Sequence, residues 1–213
     1  MTHIFPRDTR FQPPKATGGD GCWLIDADGR RYLDGSGGAG VSCLGHSDAR
    51  VIQAIRDQAG TLAYAHSGFF TTEAAEALAD RLAAAAPGDL NRVFLVSGGS
   101  EGVESAIKLA RQYFVEIGQP QRTRVIARWQ SYHGNTLGAL SAGGNRGRRA
   151  LYEPLLVDMS HIDPCYAYRY AAPGESDADY GRRAADLLEA EILRLGPATV
   201  AAFIAEPVVG ATL

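Results

Sequence analysis

The stretch Ser97-Gly98-Gly99-Ser100 combines residue types that suit a phosphate site. The apolar run "RVFLV" (92–96) before it predicts a buried strand, and the pattern after it predicts a helix from Ser100 to about residue 117. Backbone N–H groups at a helix start attract anions, as does the helix dipole, and glycines let the ligand approach the backbone. We therefore expect Gly98, Gly99 and Ser100 to contact a phosphate.

Three alternatives compete with that interpretation of the turn. A P-loop requires Gly-Lys followed by Ser or Thr, which the turn lacks. A dinucleotide fingerprint requires a glycine where this chain has Ser97, and an acidic residue where it has Arg128 and Trp129. A tight turn capped by Ser100, with no ligand, stays open on this stretch alone.

Two further groups follow predicted strands. Tyr132 in "SYHGNTLGALS" (131–141) could lie on a planar ring, and Glu206 in "FIAEPVVG" (203–210) places a carboxylate after another strand. Alone, the tyrosine suits a protein core equally well, and the glutamate suits a structural ion pair. Ligands of α/β proteins bind at the carboxyl ends of the strands. Together the three features predict a planar, phosphorylated, nitrogen-containing cofactor.

Alternating strands and helices from residue 92 onward must position these groups. This order is typical of an α/β fold, a mostly parallel sheet with helices on both faces. Strands are predicted over 92–96, 124–128, 155–158 and 200–206, a helix over 183–195, and an irregular surface excursion over 159–180. Before residue 92 the sequence predicts an irregular arm over 1–20, a hairpin around Asp28-Gly29, and helices over about 48–60 and 72–86.

Composition and charge narrow the range of functions. The 213 residues carry a net charge of −3, which gives no general attraction to nucleic acid or to an anionic membrane. The basic run "GGNRGRR" (143–149) is interpreted as a solvated loop, with contact to nucleic acid as the weaker alternative. No apolar run reaches the roughly 18 residues of a spanning helix. The three widely spaced cysteines favour a reducing, cytoplasmic compartment, and the histidines show no metal-ligand spacing.

Four segments, in this order along the chain, resemble the class III aminotransferases, which are pyridoxal-phosphate enzymes of fold type I. They are "LDGSGGAGVSCLGHSD", "SGGSEGVESAIKLAR", "YHG" and "EPVVGA". The first is similar to the segment that lines that family's substrate channel. The resemblance implies that Gly99 and Ser100 bind the cofactor phosphate beside Gly98. It also implies that Tyr132 stacks on the pyridine ring, that His133 shapes the turn, and that Glu206 supports the region around the ring nitrogen.

The lysines depart from that resemblance. The family needs a lysine that forms a Schiff base with the cofactor and an aspartate that holds the ring-nitrogen proton. This chain has two lysines, Lys15 in the arm and Lys108 on the helix after the glycine turn. Lys108 is interpreted as a solvated residue that pairs with Glu104, four residues before it. Since the family's lysine and aspartate follow the "EPVVGA" motif, we expect neither of them, and no catalytic residue, in this chain.

The resemblance implies two segments: 1–60, the arm, hairpin and first helix of the small-domain and substrate-channel part, and 61–213, part of the cofactor-binding large domain. The expected function is amino transfer from an amine or amino acid to a keto acid such as pyruvate, by a homodimer in the full-length form. Alanine at position 211, where glutamate-handling members carry a carboxylate, favours that substrate class over ornithine or aminobutyrate. The alternative is a non-enzymatic truncated homologue that binds phosphate compounds or pairs with a complementary subunit.

Overall fold

The computed structural model describes residues 3–212 and divides after Arg92 into two compact units. The first begins with an antiparallel sheet of three strands, β1 (Ala16–Asp20), β2 (Trp23–Asp26) and β3 (Arg31–Leu33). The predicted hairpin around Asp28-Gly29 is confirmed. The prediction of an irregular arm is wrong at its end, because β1 pairs along β2. The division of the chain at residue 60 stays a prediction.

Helices complete the first unit. A short turn with left-handed residues, α1 (Gly37–Gly40), precedes α2 (Ala49–Thr61) and α3 (Glu73–Ala85). The Asp48 carboxylate accepts from the first backbone N–H groups of α2, and the Thr72 hydroxyl accepts from Ala75 N of α3. These side-chain caps satisfy donors that a helix cannot pair internally, which is why both helices begin where the sequence predicts.

The second unit is built on a parallel sheet. Its strands are β4 (Arg124–Arg128), β5 (Ser160–Ile162) and β6 (Val200–Phe203), in the spatial order β5-β4-β6. Its helices, in chain order, are α4 (Gly99–Glu116), α5 (Leu137–Ala142), α6 (Arg146–Arg149), α7 (Ala167–Tyr170) and α8 (Asp177–Leu195), with 3-10 turns at Glu153–Leu155 and Pro197–Thr199.

The central strand β4 explains why this unit folds as an α/β layer. Val125, Ile126 and Ala127 are consecutive and all buried, so both faces of the strand are covered. Helix α5 contacts β4, α4 contacts β6, and α8 contacts both β4 and β5. The α/β prediction with a parallel sheet is confirmed. No helix of residues 3–212 is long and apolar enough to span a membrane.

The predicted buried strand at 92–96 is wrong. These residues form no strand, and Phe94 is 79% exposed. An extended segment becomes a strand only by exchanging backbone hydrogen bonds with a neighbour. Within the described residues, no backbone group of this segment has such a partner.

Three other predictions after residue 142 need correction. Residues 155–158 carry no strand; the strand lies at β5 instead. Helix α8 begins at Asp177 rather than Arg183, because the Ser176 hydroxyl caps it through Asp179 N, so the excursion over 159–180 contains β5, α7 and the start of α8. The run 143–149 is not merely a solvated loop, since it forms α6 and buries Arg149.

Candidate active site

The start of helix α4 presents unpaired backbone donors. Gly98 is the N-cap and has no side chain to cap with, so the interpretation of Ser100 as the N-cap is wrong. Among the described residues, the N–H groups of Gly99, Ser100 and Glu101 have no acceptor, and the first backbone bond runs from Gly102 N to Gly98 O. Gly98 and Gly99 are exposed. An anion can therefore reach donors that the helix dipole makes attractive to it.

Residues 130–136, which follow β4 and are called the Tyr132 turn, are hydrogen-bonded to this helix start. Asn135 N donates to Ser100 Oγ over 3.1 Å. Gly134 has a φ of 134°, and a Cβ on it would lie against Ser100 Oγ and 2.9 Å from Ser100 Cα. Only glycine fits this close approach. The Ser100 O–H has just a long 3.4 Å contact with Asn135 Oδ1, so a phosphate oxygen could accept its proton instead.

Glu206, after β6, holds the same turn from the other side. Its Oε2 accepts from Tyr132 N over 3.0 Å, and its Oε1 accepts from Gly210 N over 3.3 Å. The carboxylate therefore fixes the backbone of Tyr132 relative to the segment after β6. The structure thus links Ser100, Tyr132 and Glu206, the three groups that the sequence places at strand ends or at the glycine turn.

The side chains of Tyr132 and His133 differ in environment. Tyr132 is 37% exposed, whereas His133 is 9% exposed and its Nε2 is buried without a hydrogen-bond partner in the described part of the chain. Burial lowers the pKa of His133, an effect that the Glu206 charge partly offsets and His161 reinforces. This shift favours the neutral imidazole, whose Nε2 is a buried polar atom without a partner among the described residues.

Glu104 joins helix α4 to helix α5. Its Oε1 accepts from Thr136 Oγ1 over 2.5 Å, from Gly138 N over 2.9 Å and from Ala139 N over 3.2 Å. The carboxylate thereby supplies the cap that α5 lacks from its own N-cap residue. The predicted ion pair between Glu104 and Lys108 is wrong, since no described carboxylate lies within ion-pair distance of Lys108.

These features fit a planar phosphorylated cofactor. The free N–H groups and the Ser100 hydroxyl suit a phosphate, and the exposed Tyr132 ring suits a flat heterocycle. In the same turn, the Nε2 of His133 has no hydrogen-bond partner among the described residues, so this nitrogen can pair with one further polar group.

Comparison with known proteins shows the family. The model of the aminotransferase class-III family matches residues 5–212. The chain belongs to the class III aminotransferases.

Relatives and solved structures agree with this membership. An uncharacterized aminotransferase of Schizosaccharomyces pombe is 43% identical over 98% of this chain and 46% of its own length. A probable mitochondrial gamma-aminobutyrate transaminase of rice is 35% identical over 95% of this chain and 41% of its own. The omega transaminase of Pseudomonas jessenii, solved in complex with PMP, is 30% identical with a TM-score of 0.90, covering 98% of this chain and 48% of that one. The chain thus spans about half the length of these aminotransferases.

The segment predicted to line the substrate channel lies in the first unit and is organised by Asp34. This carboxylate accepts from Gly38 N over 2.9 Å and from Ser42 Oγ over 2.8 Å, and lies 2.9 Å from His46 Nε2. These hydrogen bonds, led by the one from Gly38 N, lower the pKa of Asp34 to about 2. Sequence reasoning did not single out Asp34, although an Asp before a glycine-rich loop is a signal for side-chain capping of backbone N–H groups.

The two lysines of the chain share one property. Lys15 and Lys108 are both exposed. The site residues that the sequence missed are Glu104 and Asn135. Asn135 and Glu104 act through contacts more than 30 positions apart in the chain, over which local patterns carry no information.

Proposed function

We propose that this chain supplies the cofactor-cradling part of a pyridoxal-phosphate-dependent aminotransferase. The observation that carries the proposal is the hydrogen bond that joins the α4 start, with its free backbone donors, to the turn that carries the exposed Tyr132 ring. Family membership supports the choice of pyridoxal phosphate over other phosphorylated rings. When bound, this cofactor supplies an electron sink for amino-group chemistry.

The residues of this chain would bind and orient the cofactor. The N–H groups of Gly99 and Ser100, next to Gly98, would hold the phosphate together with the Ser100 hydroxyl. Tyr132 would lie on the pyridine ring, and the neutral His133 would shape the pocket beside it. Glu206, whose predicted place is near the ring nitrogen, would act through Tyr132 N, to which it is hydrogen-bonded.

The chain alone would not link the cofactor covalently or transfer amino groups. A lysine has to reach the cofactor's aldehyde carbon, and the two lysines of this chain, Lys15 and Lys108, are exposed side chains. Activity would then require a lysine and a ring-nitrogen aspartate from residues other than these 213.

The expected substrates are an amine or amino acid and a keto acid such as pyruvate. Ala211, five positions after Glu206, offers no carboxylate for a glutamate-type substrate. The rice relative carries the name of a probable gamma-aminobutyrate transaminase, so the donor is the part of the proposal that an assay must decide. We further propose a homodimer for the whole enzyme and a cytoplasmic location, which the three free cysteines favour.

The test is amino transfer to pyruvate, measured for the chain alone and after coexpression with the remaining half of the Pseudomonas jessenii transaminase. The chain alone should bind pyridoxal phosphate reversibly, form no borohydride-stable adduct and transfer nothing. The pair, once copurification shows association, should transfer amino groups, and Tyr132→Leu should abolish this.

Two results would overturn the proposal. One is a stoichiometric borohydride-trapped adduct on Lys108 that disappears in Lys108→Ala, since Lys108 would then be the linking lysine. The other is an associated pair that binds the cofactor and transfers nothing from any amine or amino acid tried.

A further inference from the structure

Two aromatic side chains that follow β4 are each covered by an arginine from the four-residue helix α6. The Arg146 guanidinium carbon lies 3.9 Å from the centroid of the Trp129 ring. The Arg148 guanidinium carbon lies 4.8 Å from the centroid of the Tyr132 ring. Both distances fall within the range in which a cation is attracted to the negative face of an aromatic ring.

Helix α6 is held in position by hydrogen bonds of Arg149 and Asn145. Arg149 is 6% exposed, and its Nη1 donates to the carbonyls of Leu140, Ser141 and Gly143 at 2.7–3.0 Å. The Asn145 Oδ1 accepts from Arg148 N over 3.1 Å and caps the helix. The backbone that carries Arg148 is therefore attached to the end of α5 rather than free in solvent.

The backbone under the two rings is fixed to the same segment. Gln130 has a φ of 55°, in the left-handed region that costs a residue with a side chain free energy. Its N–H donates to Gly144 O over 3.0 Å, and Gly144 N donates to Ser131 O over 3.0 Å. A Cβ on Gly144 would collide with Arg128 O and lie 2.5 Å from Trp129 Cα. The glycines of the run 143–149 thus allow this run to lie directly against the end of β4.

We propose that Arg148 is a positioning residue for the cofactor ring. Glu206 fixes the backbone of Tyr132, which leaves the side-chain torsions as its freedom. Arg148 occupies one face of the ring and restricts those torsions, so the opposite face is presented to a planar ligand. No other ring or cation of residues 3–212 stacks on Tyr132, and its side chain is partly open to solvent. This inference rests on the proposed function, because the planar ligand is the pyridine ring of pyridoxal phosphate.

The experiment measures the affinity of the 213-residue chain for pyridoxal phosphate by equilibrium dialysis. A cation–π contact at an exposed site corresponds to about a two- to five-fold change in affinity, which is the weakening expected for Arg148→Ala. Arg182→Ala, which removes an exposed arginine of α8 that stacks on no ring among residues 3–212, is the matched control and should change nothing. In the Tyr132→Leu background, Arg148→Ala should have no further effect.

A second readout follows the contact without the cofactor. The ring current of Tyr132 should shift the NMR signals of the Arg148 side chain upfield, and Tyr132→Leu should abolish that shift. Arg148→Lys retains the charge, so it separates a ring contact from simple attraction of the phosphate. Under the proposal it should lose part of the affinity, because a lysine lacks the planar group that covers the ring.

The outcomes separate this inference from the proposed function. A chain that does not bind pyridoxal phosphate at all would refute the proposed function and, with it, this inference. Binding that Arg148→Ala leaves unchanged would refute the inference alone. An equal loss from Arg148→Ala with and without the Tyr132 ring would also refute it, because Arg148 would then act on the phosphate by charge.

Discussion

Replacing Glu104 with alanine should destabilise the second unit, because it removes the acceptor that caps helix α5. One oxygen, Oε1, accepts from the Thr136 hydroxyl and from the N–H groups of Gly138 and Ala139. A hydrogen bond to a charged group contributes about 1.5–3 kcal/mol, and loss of a cap costs about 1 kcal/mol. Since the three donors share one atom, these contributions do not add. We expect the free energy of unfolding to fall by about 2–3 kcal/mol.

Urea unfolding followed by circular dichroism measures this change, with the slope against denaturant concentration expected to stay constant. Glu104→Gln retains the oxygen as a neutral acceptor and should lose only about half as much. Lys108→Ala is the matched control, because Lys108 is exposed and forms no ion pair with the residues that the structure describes. It should change stability by less than about 0.5 kcal/mol. Equal small effects of Glu104→Ala and Lys108→Ala would refute the reasoning, since they would indicate an ordinary surface pair on one helix.

Three further predictions follow from the same contacts. Gly134→Ala should abolish pyridoxal phosphate binding and lower the unfolding midpoint, because the added Cβ would push the Tyr132 turn away from Ser100. Calorimetry measures both effects, with Gly147→Ala as the control, and retained binding would contradict the prediction. Asp34 has a pKa lowered to about 2 from 3.8. Its contribution to stability is therefore complete above about pH 4 and is lost as the pH falls toward 2. In Asp34→Asn the free energy of unfolding should depend less on pH in this range, and an unchanged pH dependence would contradict the hydrogen bonds assigned to Asp34. Arg149→Leu should lower the free energy of unfolding in urea by about 3–5 kcal/mol, because three carbonyls lose a buried charged donor. Arg182→Leu should lower it only slightly, and equal effects of the two substitutions would contradict the assignment.

The sequence predicted those parts of the fold that local chemistry decides. Strand β4 was found with its exact bounds because three apolar residues stand between Arg124 and Arg128, and α4 because the glycine turn precedes an amphipathic pattern. The 92–96 segment has an equally apolar pattern, but a strand also needs a neighbour, which no local pattern reports. The start of α8 was missed because its first turn is polar and its only local signal is the Ser176 cap.

The site residues likewise divide into those that the sequence predicts and those that it does not. Ser100, Tyr132 and Glu206 could be singled out because each follows a strand or opens a helix, where ligands of α/β proteins bind. Glu104 was assigned to the lysine four positions later, since the sequence shows neighbours on one helix but not the start of α5 packed beside it. No local sequence pattern indicates that the arginines of the 143–149 run lie over aromatic rings. They reach those rings because the backbone at Gly144 lies close against the end of β4.

The central claim is that the start of α4 holds the cofactor phosphate beside the Tyr132 ring. An NMR titration of the chain with pyridoxal phosphate, following the backbone amides of Gly99, Ser100 and Glu101, tests it most directly. These three amides and that of Tyr132 should shift together and saturate, whereas pyridoxal, which lacks the phosphate, should leave the three helix amides in place. The same shifts with pyridoxal, or saturation by pyridoxal phosphate without movement of Gly99, Ser100 and Glu101, would contradict the account.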